Sequence, residues 1–256
     1  MKLGIVQGRL LEPVDELLQS FPSKNWLLEI NKLASLGLIG LEWLITSKVY
    51  ESNPILRSDF KYFKSVTSVC LDNLIHNNIH NKSFFIGVMN RVCSQTKIRN
   101  INIPILEDSS MVNKQDRINF IKNLNFVSQN YKNVNFCIEA ELDIDSYLEI
   151  VESNQNYFVT YDTGNLTSFG ADHSKYISQF GTKIKFVHIK DRSFDGITKP
   201  LHKGDTDFDQ IFYELNKVNF SGVFILQLAR EKTGHEEQTV KNQIHEIKKL
   251  YNKYFN

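Results

Sequence analysis

Four polar side chains stand at the C-terminal ends of apolar, strand-like runs: Glu139 in NVNFCIEAE, Asp162 in FVTYDTGN, His188 in KIKFVHIKDR and Gln227 in GVFILQLAR. Two carboxylates and an imidazole are good ligands for one divalent cation, and a glutamine adds a neutral amide oxygen. With oxygen and nitrogen donors and no thiolate, the set suits manganese first, with magnesium, cobalt and zinc also compatible. Glu141 rivals Glu139, because alternation puts both on one side, with Glu141 beyond the strand end. The plain alternative to a metal centre is a hydrogen-bonded polar layer closing one end of a sheet.

Around this set lie residues suited to gripping a substrate. Lys190 follows His188 by one alternation and could polarise a carbonyl or bind an anionic group; Arg192 and Arg230 could hold phosphate or carboxylate. Ordinary surface ion pairing is the competing role for all three. Gln7 and Arg9 follow the first apolar run and are candidate substrate contacts, and Asp72 follows the third. Glu42, between Leu41 and Trp43, is either a pocket-wall carboxylate and reserve acid/base or a satisfied polar core residue. Trp26 and Trp43 read as packing residues. In HKGDTDF, Gly204 permits a tight backbone, and Asp205 or Asp207 caps a helix beginning at Phe208.

These residues need a scaffold that brings strand ends together, and the rest of the chain supplies its pattern. Apolar runs at 2–6, 39–44, 67–71, 99–105, 133–139, 157–162, 184–189 and 222–227 are rich in Val, Ile and Phe, as strands covered on both faces should be. Helical periodicity runs between them, in NWLLEINKLASLG with Gly37 as a C-cap, DRINFIKNLNFVSQNY, DIDSYLEIVESN, DFDQIFYELNKVN and a closing helix over 236–255. Eight such beats in 256 residues predict an α/β fold, one (β/α)8 barrel spanning 1–256, rather than an open doubly wound sheet. No GxGxxG follows the first run, where QGRL stands instead, which weakens a dinucleotide fold. The long non-regular stretches 7–23, 72–82 and 191–206 all follow strands and are candidate lids.

Composition narrows the function classes. Thirty basic against 29 acidic residues give a net charge of +1, which argues against general nucleic-acid or membrane-surface binding. The apolar stretch in MKLGIVQGRL is too short for a signal peptide, and Cys70, Cys93 and Cys137 show no CxxC spacing. Core thiols in a reducing, cytoplasmic setting are the expectation.

The ordered series IEAELD, YDTGN, VHIKDR, HKGDTDF and FILQLAR resembles the sugar phosphate isomerase/epimerase family of xylose isomerase-like TIM barrels. The resemblance spans the chain and is strongest over 134–230. VQGRL, FPSKNW and GLIGLEW look like a branch often encoded beside bacterial surface-polysaccharide genes. The family resemblance implies that Glu139, Asp162 and His188 are metal ligands, that Gln227 is a weaker fourth, and that Glu139, Lys190 and Gln227 act in catalysis, Gln227 as a hydroxyl orienter. Gln227 falls where the epimerases usually place a ligating acid/base glutamate. An amide accepts no proton at useful pH, so either another residue supplies the second acid/base or the reaction needs one carboxylate. His202 stands where relatives commonly carry glycine.

The activity expected from the resemblance is divalent-metal-dependent isomerisation or epimerisation of a sugar or sugar phosphate through a metal-stabilised enediolate. The alternatives are an inosose-dehydratase-like lyase and a non-catalytic sugar-binding barrel. A homodimer is compatible with these readings.

Overall fold

The computed structural model describes residues 1–14, 19–76 and 78–255. Parts of the stretches 7–23 and 72–82, expected to form lids, lie outside the described residues.

Each expected apolar run becomes a strand: β1 (Leu3–Val6), β2 (Leu41–Leu44), β3 (Val66–Cys70), β4 (Asn100–Ile105), β5 (Asn135–Ala140), β6 (Tyr157–Asp162) and β7 (Ile184–Ile189). A small antiparallel pair, β8 (Asp191–Arg192) and β9 (Thr198–Lys199), follows inside the 191–206 stretch, and β10 (Val223–Leu226) is the last run. The strand order β1-β10-β7-β6-β5-β4-β3-β2 closes on itself as a barrel. By contacts the residues group into two compact sets, 1–41 with 160–256 and 42–159, whose boundaries fall inside β2 and β6.

In the first set, β1 pairs with β10 (Ile5 opposite Leu226) and β10 with β7 (Ile225 opposite His188), all parallel. Phe224 of β10 stacks on Phe212 at 5.2 Å and meets Tyr251 and Phe255 edge-on. Those partners lie on α7 (Phe208–Lys217) and α8 (Glu236–Phe255), so Phe224 faces the helical layer. Burying such a ring stabilises the layer by about 2–3 kcal/mol. Helix α1 (Trp26–Leu36) ends at Gly37, whose φ of 67° is the left-handed conformation expected of this cap. Asp207 caps α7 by accepting the Gln210 N–H at 2.9 Å, and Asp205 instead accepts the Phe194 N–H.

In the second set, β4 and β5 pair along their whole length, with Asn102 opposite Cys137 and Pro104 opposite Glu139. Helices α2 (Lys82–Gln95), α3 (Lys114–Ser128) and α4 (Ile144–Val151) start at Asn81, Asn113 and Asp143, each accepting a first-turn N–H. Trp43 is fully buried, donating to Asn53 at 2.8 Å, as its packing role requires. No helix among the described residues is long and apolar enough to cross a membrane. The three cysteines form no disulfide; Cys70 and Cys137 are buried and Cys93 is half-buried.

Candidate metal centre

Asp162 has two tasks, one for each oxygen. It ends β6 and is also the N-cap of α5 (Thr163–Phe169), where one oxygen accepts the Asn165 N–H at 2.7 Å. The other faces His188 Nδ1 at 3.9 Å and Lys190 Nζ at 3.8 Å. A spacing of 3.9 Å is too long for a hydrogen bond. It matches two ligands of one cation, which stand about 3–4 Å apart when each is about 2.0–2.2 Å from the ion.

His188 on β7 is wholly buried. Two residues on, Lys190 is also buried, and its ammonium donates to Asn165 Oδ1 at 3.0 Å. Its backbone is clasped by Thr163, whose hydroxyl accepts the Lys190 N–H at 2.9 Å and donates to the Lys190 carbonyl at 2.6 Å. That clasp needs Gly164, where any Cβ would press on the Lys190 carbonyl oxygen at 3.0 Å. The sequence Asp-Thr-Gly-Asn thus places a carboxylate, a backbone clasp, a gap and an acceptor for the lysine.

Glu139 sits on β5, 4% exposed, and accepts the Asn102 amide at 3.0 Å on one oxygen. Ligand atoms of Glu139, Asp162 and His188 all lie within 4.8 Å of one another. Glu141 lies half-buried past the strand end and outside this group. Burial, then the Glu42 and Glu139 carboxylates, push the nearby Cys70 thiol well above its usual range, so it offers no thiolate.

The remaining sequence candidates fall in several places. Gln227 follows β10; its side-chain NH2 donates to Gln19 at 3.2 Å, and its buried carbonyl oxygen has no hydrogen-bond partner among the described residues. Glu42 is 1% exposed and accepts the Ser68 hydroxyl at 2.8 Å. Gln7 is buried. Asp191 ties down its own loop, accepting the Lys203, Gly204 and Thr206 N–H groups at 3.1, 3.0 and 3.3 Å, while Arg192 is half-buried near Ser168. Arg9 and Arg230 meet at a cavity beside α8 that Gln227 does not line.

Several supporting residues escaped the sequence reading. Asn102 was visible as a polar residue inside the apolar run RNINIPI, and Asn165 stood in a quoted motif without a role. Gln19 is 208 positions from its partner Gln227, which no local pattern reveals. Glu29, wholly buried on α1, accepts the Gly8 and Leu10 N–H groups and so fixes the segment carrying Arg9. His173, the first residue of α6 (His173–Phe180), is buried between Tyr161 and Thr167.

A family model describing a xylose isomerase-like TIM barrel matches residues 89–250. The chain belongs to this xylose isomerase-like family. Its barrel is similar to a solved IolI protein with a bound zinc atom, at 18% identity and a TM-score of 0.70 over the whole of both chains. It is also similar to D-psicose 3-epimerase with D-tagatose from Clostridium cellulolyticum H10, at 13% identity and a TM-score of 0.65 over 99% of each chain. A third likeness is a xylose isomerase-like barrel from Mycobacterium smegmatis in complex with magnesium: 12% identity, a TM-score of 0.66, 99% of this chain and 97% of that one. A sequence comparison with curated proteins returns no match. At these identities the likenesses establish the fold.

Proposed function

We propose that this xylose isomerase-like barrel is a divalent-cation-dependent isomerase or epimerase of a sugar or sugar phosphate. The reading rests on the convergence of Glu139, Asp162 and His188, with the Lys190 ammonium 3.8 Å from Asp162. A carboxylate–carboxylate–imidazole donor set fits manganese, magnesium, cobalt or zinc. Solved barrels of the same fold that hold zinc, magnesium or a ketohexose support it.

A bound cation would polarise a substrate carbonyl and so acidify the adjacent C–H. The protein's own groups then handle the proton. Glu139 removes and returns it; Asn102 pins one of its oxygens and so aims the other. The Asn165 N–H fixes one oxygen of Asp162, leaving the other for the ion. Lys190, held by Asn165 and Thr163, supplies positive charge where negative charge develops on oxygen. Gln227 orients a hydroxyl and carries no proton. Glu42 is the reserve acid/base, and Arg192 a contact for an anionic substituent.

Metal analysis of the purified chain and its Asp162→Ala and His188→Ala variants tests the ligands. Each variant should lose the ion, and equal occupancy in all three would sink the assignment. Incubation of the metal-loaded protein with a sugar and sugar-phosphate panel in heavy water tests catalysis. Wild type should wash deuterium into one substrate, and Glu139→Gln should slow that by about 10²-fold or more while keeping most of the metal. A metal-loaded wild type that exchanges no C–H across the panel points to a sugar-binding barrel without turnover. Loss of water from the substrate points to a lyase.

A further inference from the structure

A cavity of about 50 Å³ lies where β1 and β10 meet the first turns of α8, lined by Ile5, Arg9, Leu226, Arg230, Lys232 and Val240 among others. Leu226 alternates with Phe224, which packs on the helices, so the cavity is on the helix-facing side of β10 and opposite to Gln227. It is a second site, built from residues outside the proposed proton-transfer machinery.

A buried guanidinium forms part of its wall. Arg9 is only 6% exposed, yet its Nε and one terminal nitrogen are buried without a hydrogen-bond partner among the described residues. The opposite charge nearby, Glu29, has its oxygens committed to the Gly8 and Leu10 N–H groups. Arg230, the other guanidinium, spends its own N–H groups on the Gly8 and Leu11 carbonyls and repels Arg9. Burial and that repulsion push the Arg9 pKa down to about 9. Lys232 is an exposed lining cation, and the lining carboxylates among the described residues are Glu231 and Glu236, the latter accepting the Gly234 N–H at 3.0 Å. A buried guanidinium left this way is strongly unfavourable without a counter-group, and its fork of donors is shaped for an oxyanion. The first turn of the 20-residue helix α8 borders the cavity with its positive end, which its own Glu236 and Glu237 partly offset. At about 10–15 Å³ per water-sized group, the space holds one phosphoryl or carboxylate head.

We propose that this cavity binds a small oxyanion of the phosphoryl type, with Arg9 as its forked donor, Arg230 and Lys232 as flanking charges, and the first turn of α8 as backbone support. The anion arrives either free or as the end of a phosphorylated ligand. The site stands apart from the metal centre and survives if that reading fails.

Chelator-treated, metal-free protein isolates the pocket from any phosphate held by a metal ion. Inorganic phosphate up to about 20 mM, at constant ionic strength set with chloride, should raise the melting temperature of wild type in a saturable way. Calorimetry should give one site per chain. Arg9→Gln should weaken phosphate binding by at least about tenfold, and exposed Lys232→Ala by several-fold. In phosphate-free buffer Arg9→Gln should be at least as stable as wild type, because it removes an uncompensated buried charge. Tighter binding of ribose 5-phosphate than of phosphate would assign the head to a ligand; equal affinities would assign it to the free anion. No phosphate-dependent stabilisation of wild type, or undiminished affinity in both variants, overturns the proposal.

Discussion

Glu29 offers a quantitative test of how the segment after β1 is held. Its carboxylate is wholly buried and accepts the Gly8 N–H on both oxygens, at 2.8 and 2.9 Å, and the Leu10 N–H at 3.1 Å. Burial outweighs those bonds and the nearby Arg230 and Lys32 charges, raising its pKa from 4.5 to about 7. Between those values the native chain keeps a proton that the unfolded chain has released. Stability from this group is therefore complete below pH 4.5 and is lost as pH rises through about 7. At about 1.36 kcal/mol per pKa unit, the loss is about 3 kcal/mol. His173 works in the other direction. Buried against Tyr161, its pKa falls from 6.5 to about 4, so its contribution is present above pH 6.5 and lost as pH falls through 4. Over roughly pH 4.5–6.5 the two slopes oppose, and wild type should look deceptively flat. Glu29→Gln is neutral at every pH and near-isosteric with the protonated acid. Measured by urea unfolding of metal-free protein, its stability relative to wild type should climb by about 3 kcal/mol from pH 4.5 to pH 7, then level off. A difference constant within about 1 kcal/mol over that range would show that Glu29 is solvated or paired more strongly than its burial implies.

The other predictions concern the metal centre. Asn102→Leu removes the donor that aims Glu139, so metal affinity measured by calorimetry should fall about 10–100-fold while the far-ultraviolet dichroism stays unchanged. If Glu139 works alone because Gln227 accepts no proton, product formed in heavy water should retain part of the migrating hydrogen; complete labelling at one inverted carbon would require a second acid/base, with Glu42 the first to examine.

What the sequence made legible follows from where local chemistry and tertiary position coincide. The barrel strands announce themselves because a strand buried on both faces is apolar along its length, and a polar residue at its end stands out. Asp162 and His188 could be singled out for that reason. The same rule hid helix α5, whose low-propensity TGNLTSF follows β6 without a loop because Asp162 both ends the strand and caps the helix. Helix α2 was obscured by Gly87, a poor helix former in its interior, though its Asn81 cap was in plain sight. His202 takes a left-handed backbone, φ 64°, of the kind that favours glycine.

Facing direction is where sequence reasoning stops short. Arg9 and Arg230 follow strands β1 and β10, as Gln227 does, and proximity in sequence suggests a shared pocket with it. Pairing of Ile5 with Leu226, and of Ile225 with His188, separates the two faces instead. One residue of offset decides which side of the sheet a polar group serves, because side chains alternate along a strand. Gln227 is in step with Ile225, whose partner His188 belongs to the candidate metal-ligand group. Arg9 and Arg230 border the cavity that Leu226 lines, beneath α8. On the two proposals made above, the two faces of one strand separate a cation site from an anion site. Substitutions at Arg9 should then change phosphate binding while leaving metal stoichiometry intact, and substitutions at Asp162 should do the reverse.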